Sequence, residues 1–210
     1  SAGHREKKGT QPVHIHFPDF PRGALECTHP PPAASLNHLP MPQSSPSLGG
    51  MMHPITTDHG EFIAQFTSQG LARLQFPGTP AKPLDNASPL PKPWLRHTRA
   101  AISIILNGKT PKVLPPLDLS VGTKFQQQLW RALLRIPGGR TRSYGELAHA
   151  LRRPQAARAI GQACGANPIP VIVPCHRVLA GGGRLGGFSG GLDWKRKLLE
   201  IEGAPFKEPQ

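Results

Sequence analysis

Acidic residues are scarce in this 210-residue chain. Twelve Asp and Glu stand against 25 Lys and Arg, a formal net charge of +13. The imbalance is concentrated: residues 121–163 hold eight Lys/Arg and one acid, Glu146. So focused a basic stretch points to a polyanionic partner, nucleic acid first, with a solubilising charged face as the plainer alternative. Cysteine is scarce too. Cys27, Cys164 and Cys175 cannot build a paired disulfide framework, which suits a reducing compartment and leaves room for a working thiol. No apolar run approaches the roughly 20 residues of a membrane span. No apolar segment of the signal-peptide kind opens the sequence, so neither insertion nor secretion is expected. Hydrophobic residues make up only 37%, while 26 prolines and 23 glycines are plentiful, so part of the chain is expected to stay outside any core.

That part is residues 1–50, which carry the run Pro30-Pro31-Pro32 and show no sustained periodicity. They read as a disordered Pro/His-rich extension. A first domain is expected over 51–118. Phe62–Phe66 and Leu71–Phe76 flank Ser68-Gln69-Gly70 as a strand hairpin. After a proline-rich loop, residues 94–107 read as a helix ended by Gly108. The second domain, 119–205, reads as mainly helical. Thr123 caps a helix that Pro137-Gly138-Gly139 stops. Ser143 and Glu146 form a capping box. A second short helix from Gln155 to about Cys164 follows Arg152-Arg153, which suggests a helix-turn-helix. Val171-Ile172-Val173 reads as a buried extended run leading into Pro174-Cys175-His176-Arg177. A glycine-rich loop over 181–191 and a helix from about Leu192 to Ile201 follow. The fold class is α+β: a small sheet-plus-helix domain, then a helical DNA-binding domain.

A thiol nucleophile needs thiolate character, excluded water and a proton acceptor. Cys175 ends an apolar run with His176 beside it, and a helix starting there would favour the thiolate. The plainer reading is a buried structural Cys next to a surface His. The loop also contains Gly181-x-Gly183-x-x-Gly186, a dinucleotide-binding pattern, but without the strand before it and the helix after it that phosphate binding requires. Glycines that let backbone approach a base explain it better.

An ordered series of blocks surrounds this Cys. They are Gly122-Thr123-Lys124-Phe125-Gln126, Ile136-Pro137-Gly138-Gly139, Thr141-Arg142-Ser143-Tyr144-Gly145-Glu146, Ala156-Ala157-Arg158-Ala159-Ile160-Gly161, Asn167-Pro168, Pro174-Cys175-His176-Arg177-Val178, Gly187-Phe188-Ser189-Gly190-Gly191 and Glu202-Gly203. Over roughly 55–203 the chain resembles the O6-alkylguanine-DNA alkyltransferases. The resemblance implies that Cys175 accepts the alkyl group, that His176 deprotonates it through water, and that Glu202 orients His176. It makes Tyr144 the donor to the leaving guanine and Asn167 the hinge residue. It makes Arg158 the side chain that replaces the flipped nucleotide, with Arg142, Ser143, Ala157 and Cys164 on the DNA face. Val178, Phe188, Ser189 and Gly190 would line the base pocket.

The reaction so implied is single-turnover transfer from O6-alkylguanine, with O4-alkylthymine as a further substrate. The partner is double-stranded DNA, the protein a monomer, its place cytoplasmic (nuclear in a eukaryote). No cofactor and no metal are expected, since Cys27 and His29 lie in the disordered-looking segment. Phe188 stands where some relatives carry Tyr, and Cys164 where others carry different DNA-facing side chains. Two other readings remain: an alkylated-base-binding protein, whose relatives commonly carry Trp in place of the Cys, and a Cys-His hydrolase.

Overall fold

The computed structural model describes residues 52–80, 84 and 92–208, all within one compact unit. The expected disordered extension over 1–50, and the Cys27/His29 question with it, lie outside these residues.

The described chain opens as an antiparallel sheet: β1 (Met52–Thr57), β2 (Gly60–Thr67) and β3 (Gly70–Gln75), in that order. The hairpin at Ser68-Gln69 is as read from sequence; β1 extends the strand region back to Met52. β2 buries Phe62 and Ala64 in alternation and then every residue from Ala64 to Thr67, where the pairing with β3 shifts register between Gln65 and Phe66. Helix α1 (Lys92–Leu106) turns Thr98, Ala101, Ile102, Ile105 and Leu106 inward. Pro93 falls in its first turn, where a missing N–H leaves no bond unmade. The linker through Leu114–Leu119 is pinned to the sheet edge. Leu71 N–H donates to the Pro116 carbonyl at 2.8 Å, and Asp118 N–H donates to the Leu71 carbonyl at 2.8 Å.

The rest is helical. Helix α2 (Lys124–Leu133) begins at a capping box between Thr123 and Gln126, and α3 (Tyr144–Ala150) at one between Ser143 and Glu146. Each satisfies backbone donors that the first turn leaves free, worth about 1 kcal/mol per cap. A 3-10 turn at Pro154–Ala156 leads into α4 (Ala157–Gly165), which packs on α3 as a helix-turn-helix. The Trp130 indole N–H donates to the Ala163 carbonyl at 2.9 Å and ties α2 to α4. Helix α5 (Leu192–Ile201) has the bounds that the periodicity gives. Two short strands, β4 (Arg142–Ser143) and β5 (Val178–Leu179), pair in parallel and bring the start of α3 beside the segment after Cys175. One hydrophobic cluster runs through both halves, from Phe62, Leu71 and Ile102 to Leu129, Trp130, Ile160, Val173 and Leu198. Among the described residues no helix is long and apolar enough to cross a membrane.

One expectation is corrected. Val171-Ile172-Val173 is buried but not extended. It is a turn, with Val173 N–H donating to the Ile169 carbonyl at 2.9 Å and Ile172 N–H to the Pro170 carbonyl at 2.9 Å. Val171 itself takes φ 71°, unusual for a β-branched residue. The composition looks like a strand; hydrogen bonds over two to four residues curl it instead.

Candidate active site

Cys175 opens a single 3-10 turn, Cys175–Arg177, and its side chain is buried. The turn is held from outside itself. Asn167, just past α4, donates its carboxamide N–H groups to the Val173 carbonyl at 2.8 Å and to the Cys175 sulfur at 3.0 Å. Its oxygen accepts from Ile169 N–H at 3.0 Å. One side chain thus fixes both the turn and the thiol.

His176 is fully buried and its Nε2 lies 3.0 Å from Glu202 Oε1. The carboxylate can only accept, so Nε2 carries the proton and Nδ1 holds the free lone pair. Among the described residues Nδ1 has no hydrogen-bond partner, which leaves it available as a base. Burial holds the imidazole below its ordinary range, against the pull of Glu202 upward. Burial alone would raise Glu202, but hydrogen bonds from His176 and Arg177 bring it down to about 2. Arg177 supplies the matching charge. It clamps the carboxylate with Nε at 2.9 Å to Oε2 and Nη2 at 2.7 Å to Oε1, and its Nη1 donates to the Ile136 carbonyl. The resting state is therefore a neutral His176 against an ion-paired Glu202–Arg177.

Burial pushes the Cys175 thiol up to about 11, opposed by the Asn167 hydrogen bond and by the charge of Lys195. The expected dipole-stabilised thiolate is corrected here: a three-residue turn has too little dipole to offset full burial, so the resting sulfur is a thiol that requires a base. Lys195 was not singled out from sequence. It is wholly buried, donates to the Val178 carbonyl at 2.8 Å and the Gly186 carbonyl at 3.1 Å, and burial lowers it to about 8. A signal existed: Lys195 shares the inward stripe of α5 with Leu198 and Leu199. Arg177 was also missed, because its partner is distant in sequence.

Tyr144 opens α3 and is half-buried. An added Cβ on Gly186 would lie 2.8 Å from its hydroxyl oxygen, and one on Gly161 3.8 Å from its ring. The phenol thus passes between α4 and the glycine loop. Burial, then the neighbouring Cys164 and Cys175, push it up to about 12, so it keeps its proton at neutral pH. The loop is buttressed by the sheet. Phe76 packs on Phe188 and on Trp194, ring centroids 5.7 and 4.9 Å apart, and an added Cβ on Gly190 would meet the Phe76 ring at 2.4 Å. Ser189 is exposed on this loop, and Val178 is buried with its carbonyl taken by Lys195. The Gly181–Gly183 segment is a single 3-10 turn after the two-residue strand β5, and the next helix begins only at Leu192.

On the outer face, Arg158 is exposed in the first turn of α4, with no hydrogen bond or ion pair to another described residue; Ala157 beside it is half-buried. Ser143 spends its oxygen on the α3 cap, accepting from Glu146 N–H at 3.1 Å. Arg142 pairs with Glu146 at 3.8 Å. Cys164 is a correction. It was expected to face DNA, but it is only 6% exposed and lies on the inward stripe of α4 with Ile160 and Ala163. Burial raises this thiol to about 12.

Residues 124–204 match the family model described as 6-O-methylguanine DNA methyltransferase, DNA binding domain. The chain is 59% identical over 86 residues to the methylated-DNA–protein-cysteine methyltransferase of Mycobacterium tuberculosis, covering 41% of this chain and 52% of that protein. It thus spans about half the length of this curated relative. To the protein of the same name from Methanosarcina mazei it is 52% identical over 114 residues, covering 53% of this chain and 70% of the relative. The fold is similar to the crystal structure of M. tuberculosis OGT in complex with DNA, with a TM-score of 0.62 and 39% identity, covering 72% of this chain and 93% of that one.

Proposed function

The chain belongs to the O6-alkylguanine-DNA alkyltransferase (6-O-methylguanine DNA methyltransferase) family, and on that premise we propose that it repairs DNA by moving the alkyl group of an O6-alkylguanine irreversibly onto Cys175. The observation that carries the reading is the Cys175 thiol held by Asn167 at 3.0 Å, beside a His176–Glu202 pair whose free imidazole nitrogen is buried. In this division of labour residues 119–205 carry catalysis and DNA binding, and 51–118 brace the base pocket through Phe76.

The target carbon lies inside a duplex, so the nucleotide is flipped out at a cost of a few kcal/mol of unstacking. Arg158 fills the gap, and the basic surface around it holds phosphates. Docking in the minor groove suits a damage sensor with little sequence preference. The Cys175 proton passes to His176 Nδ1, directly or through a water, and the resulting imidazolium is stabilised by Glu202. The thiolate attacks the alkyl carbon in line. A C–S bond forms, the C–O6 bond breaks, and its electron pair stays with guanine, which Tyr144 protonates at N3. Tyr144 recovers its proton from the histidine side, and the products are a thioether and the N3-protonated tautomer of guanine, which becomes ordinary guanine when the proton exchanges through water from N3 to N1. Neither step calls for a redox or metal cofactor. The thioether offers no route back, so each molecule acts once, as a monomer, in the compartment that holds the DNA: cytoplasmic, or nuclear in a eukaryote.

The test is a titration of the protein against duplex carrying a radiolabelled O6-methyl group. Label should move to protein and plateau at one group per molecule. Continued release beyond that plateau would favour a hydrolase. Tight binding with no transfer would favour an alkylated-base-binding protein.

A further inference from the structure

Two non-glycine residues among those described hold a left-handed backbone, Val171 (φ 71°) and Arg152 (φ 57°). Val171 is accounted for: its side chain is buried in the core behind the active-site turn. Arg152 has no such account. It directly follows the C-cap of α3, where Arg152 N–H donates to the His149 carbonyl at 2.9 Å and Arg153 N–H to the Ala148 carbonyl at 2.8 Å. This is the paired bond pattern that ends a helix on a left-handed residue, a position glycine fills without strain and L side chains resist.

The arginine side chain gains nothing visible in return. It is exposed and makes no hydrogen bond, ion pair or ring contact with another described residue. Its neighbours differ. Arg153 lies over the Phe125 ring at 5.2 Å, and Arg142 is paired with Glu146. Arg152 therefore projects an uncommitted guanidinium from the turn of the helix-turn-helix, between α3 and the helix that carries Arg158. We propose that Arg152 is a DNA-backbone contact, a left-handed residue retained at a glycine position because its charge engages a phosphate. The inference rests on the DNA-repair reading and deepens it: one more backbone contact, reading no base.

The experiment compares wild type, Arg152→Gly and Arg152→Lys by thermal melting and by duplex affinity across a salt series. Arg152→Gly should melt a few degrees higher or unchanged. It should lose about three- to tenfold in affinity at low salt, equally for damaged and undamaged duplex. Its plot of log K against log salt should be shallower by about one unit. Arg152→Lys should keep most of that slope. Unchanged affinity and slope in Arg152→Gly would overturn the proposal. A lower melting temperature with unchanged DNA binding would overturn it in favour of a local role at the helix C-terminus. A wild type without salt-dependent DNA affinity would bring down the DNA reading itself, separately from the role of Arg152.

Discussion

The carboxamide nitrogen of Asn167 lies 3.0 Å from the sulfur of Cys175 and 2.8 Å from the carbonyl oxygen of Val173. The side chain that shapes the turn around Cys175 is therefore also a hydrogen-bond donor to its sulfur, placed to stabilise a negative charge there. Asn167→Ala should raise the apparent pKa of Cys175 and slow transfer about 10- to 100-fold, the worth of a hydrogen bond to a charged group. Asn167→Asp keeps only the acceptor for Ile169 N–H; it loses the donors to the sulfur and to the Val173 carbonyl and adds a buried like charge. It should fold no better than the alanine variant and transfer no faster, as read from thermal melts and pH–rate profiles of both.

The His176–Glu202 pair sets an acid limit on stability. Glu202 titrates at about 2 in the fold against 4.5 ordinarily, so its contribution is complete above pH 4.5 and is lost as the pH falls from there through 2. His176, held below its ordinary 6.5, adds to the same trend: the fold favours the neutral ring, and acid works against it. Wild-type melting temperature should drop across this range. Glu202→Gln should already be less stable at pH 7, by on the order of 3 kcal/mol, because Arg177 is left buried without its partner. Its pH profile between 4.5 and 2 should be flatter.

If the pair works as one unit, Glu202→Gln and His176→Ala should each raise the apparent pKa of Cys175. Their losses in transfer rate should be far from additive. A double mutant whose loss equals the product of the single losses would leave Glu202 with a structural role only.

Gly186 keeps the space that Tyr144 occupies. A methyl group there would meet the phenol oxygen at 2.8 Å and the ring carbon Cε2 at 3.0 Å. Gly186→Ala should displace the hydroxyl and slow transfer about tenfold, with a stability loss of about 1 kcal/mol. The same change in a Tyr144→Phe background should cost much less rate, since the hydroxyl is already gone. Single-turnover kinetics on the four proteins check this.

Arg158→Ala should slow repair of duplex DNA far more than reaction with free O6-benzylguanine, if the exposed guanidinium has the proposed role in the base stack rather than a role at the thiol. Equal slowing on both substrates would count against that role.

The parts of this site legible in the sequence are those fixed locally. Helix α5 has the bounds its periodicity gives, and the caps at Thr123 and Ser143 form as their side chains dictate. Val171–Val173 was misread because its composition favours a strand while Asn167 and the local bonds impose a turn. Cys164 and Lys195 were misassigned or overlooked despite a readable signal. Each falls on a buried stripe, with Ile160 and Ala163 in one helix and Leu198 and Leu199 in the other. The Arg177 clamp had no local signal, since it depends on Glu202 returning from 25 residues away.

Cys175 alone should accept the alkyl group. Intact-protein mass followed by peptide mapping, after incubation with duplex containing O6-methylguanine, tests it most directly. One methyl group per molecule is expected, on the peptide containing Cys175, and no adduct in Cys175→Ser. An adduct found chiefly on Cys27 or Cys164, or one that persists in Cys175→Ser, would contradict it.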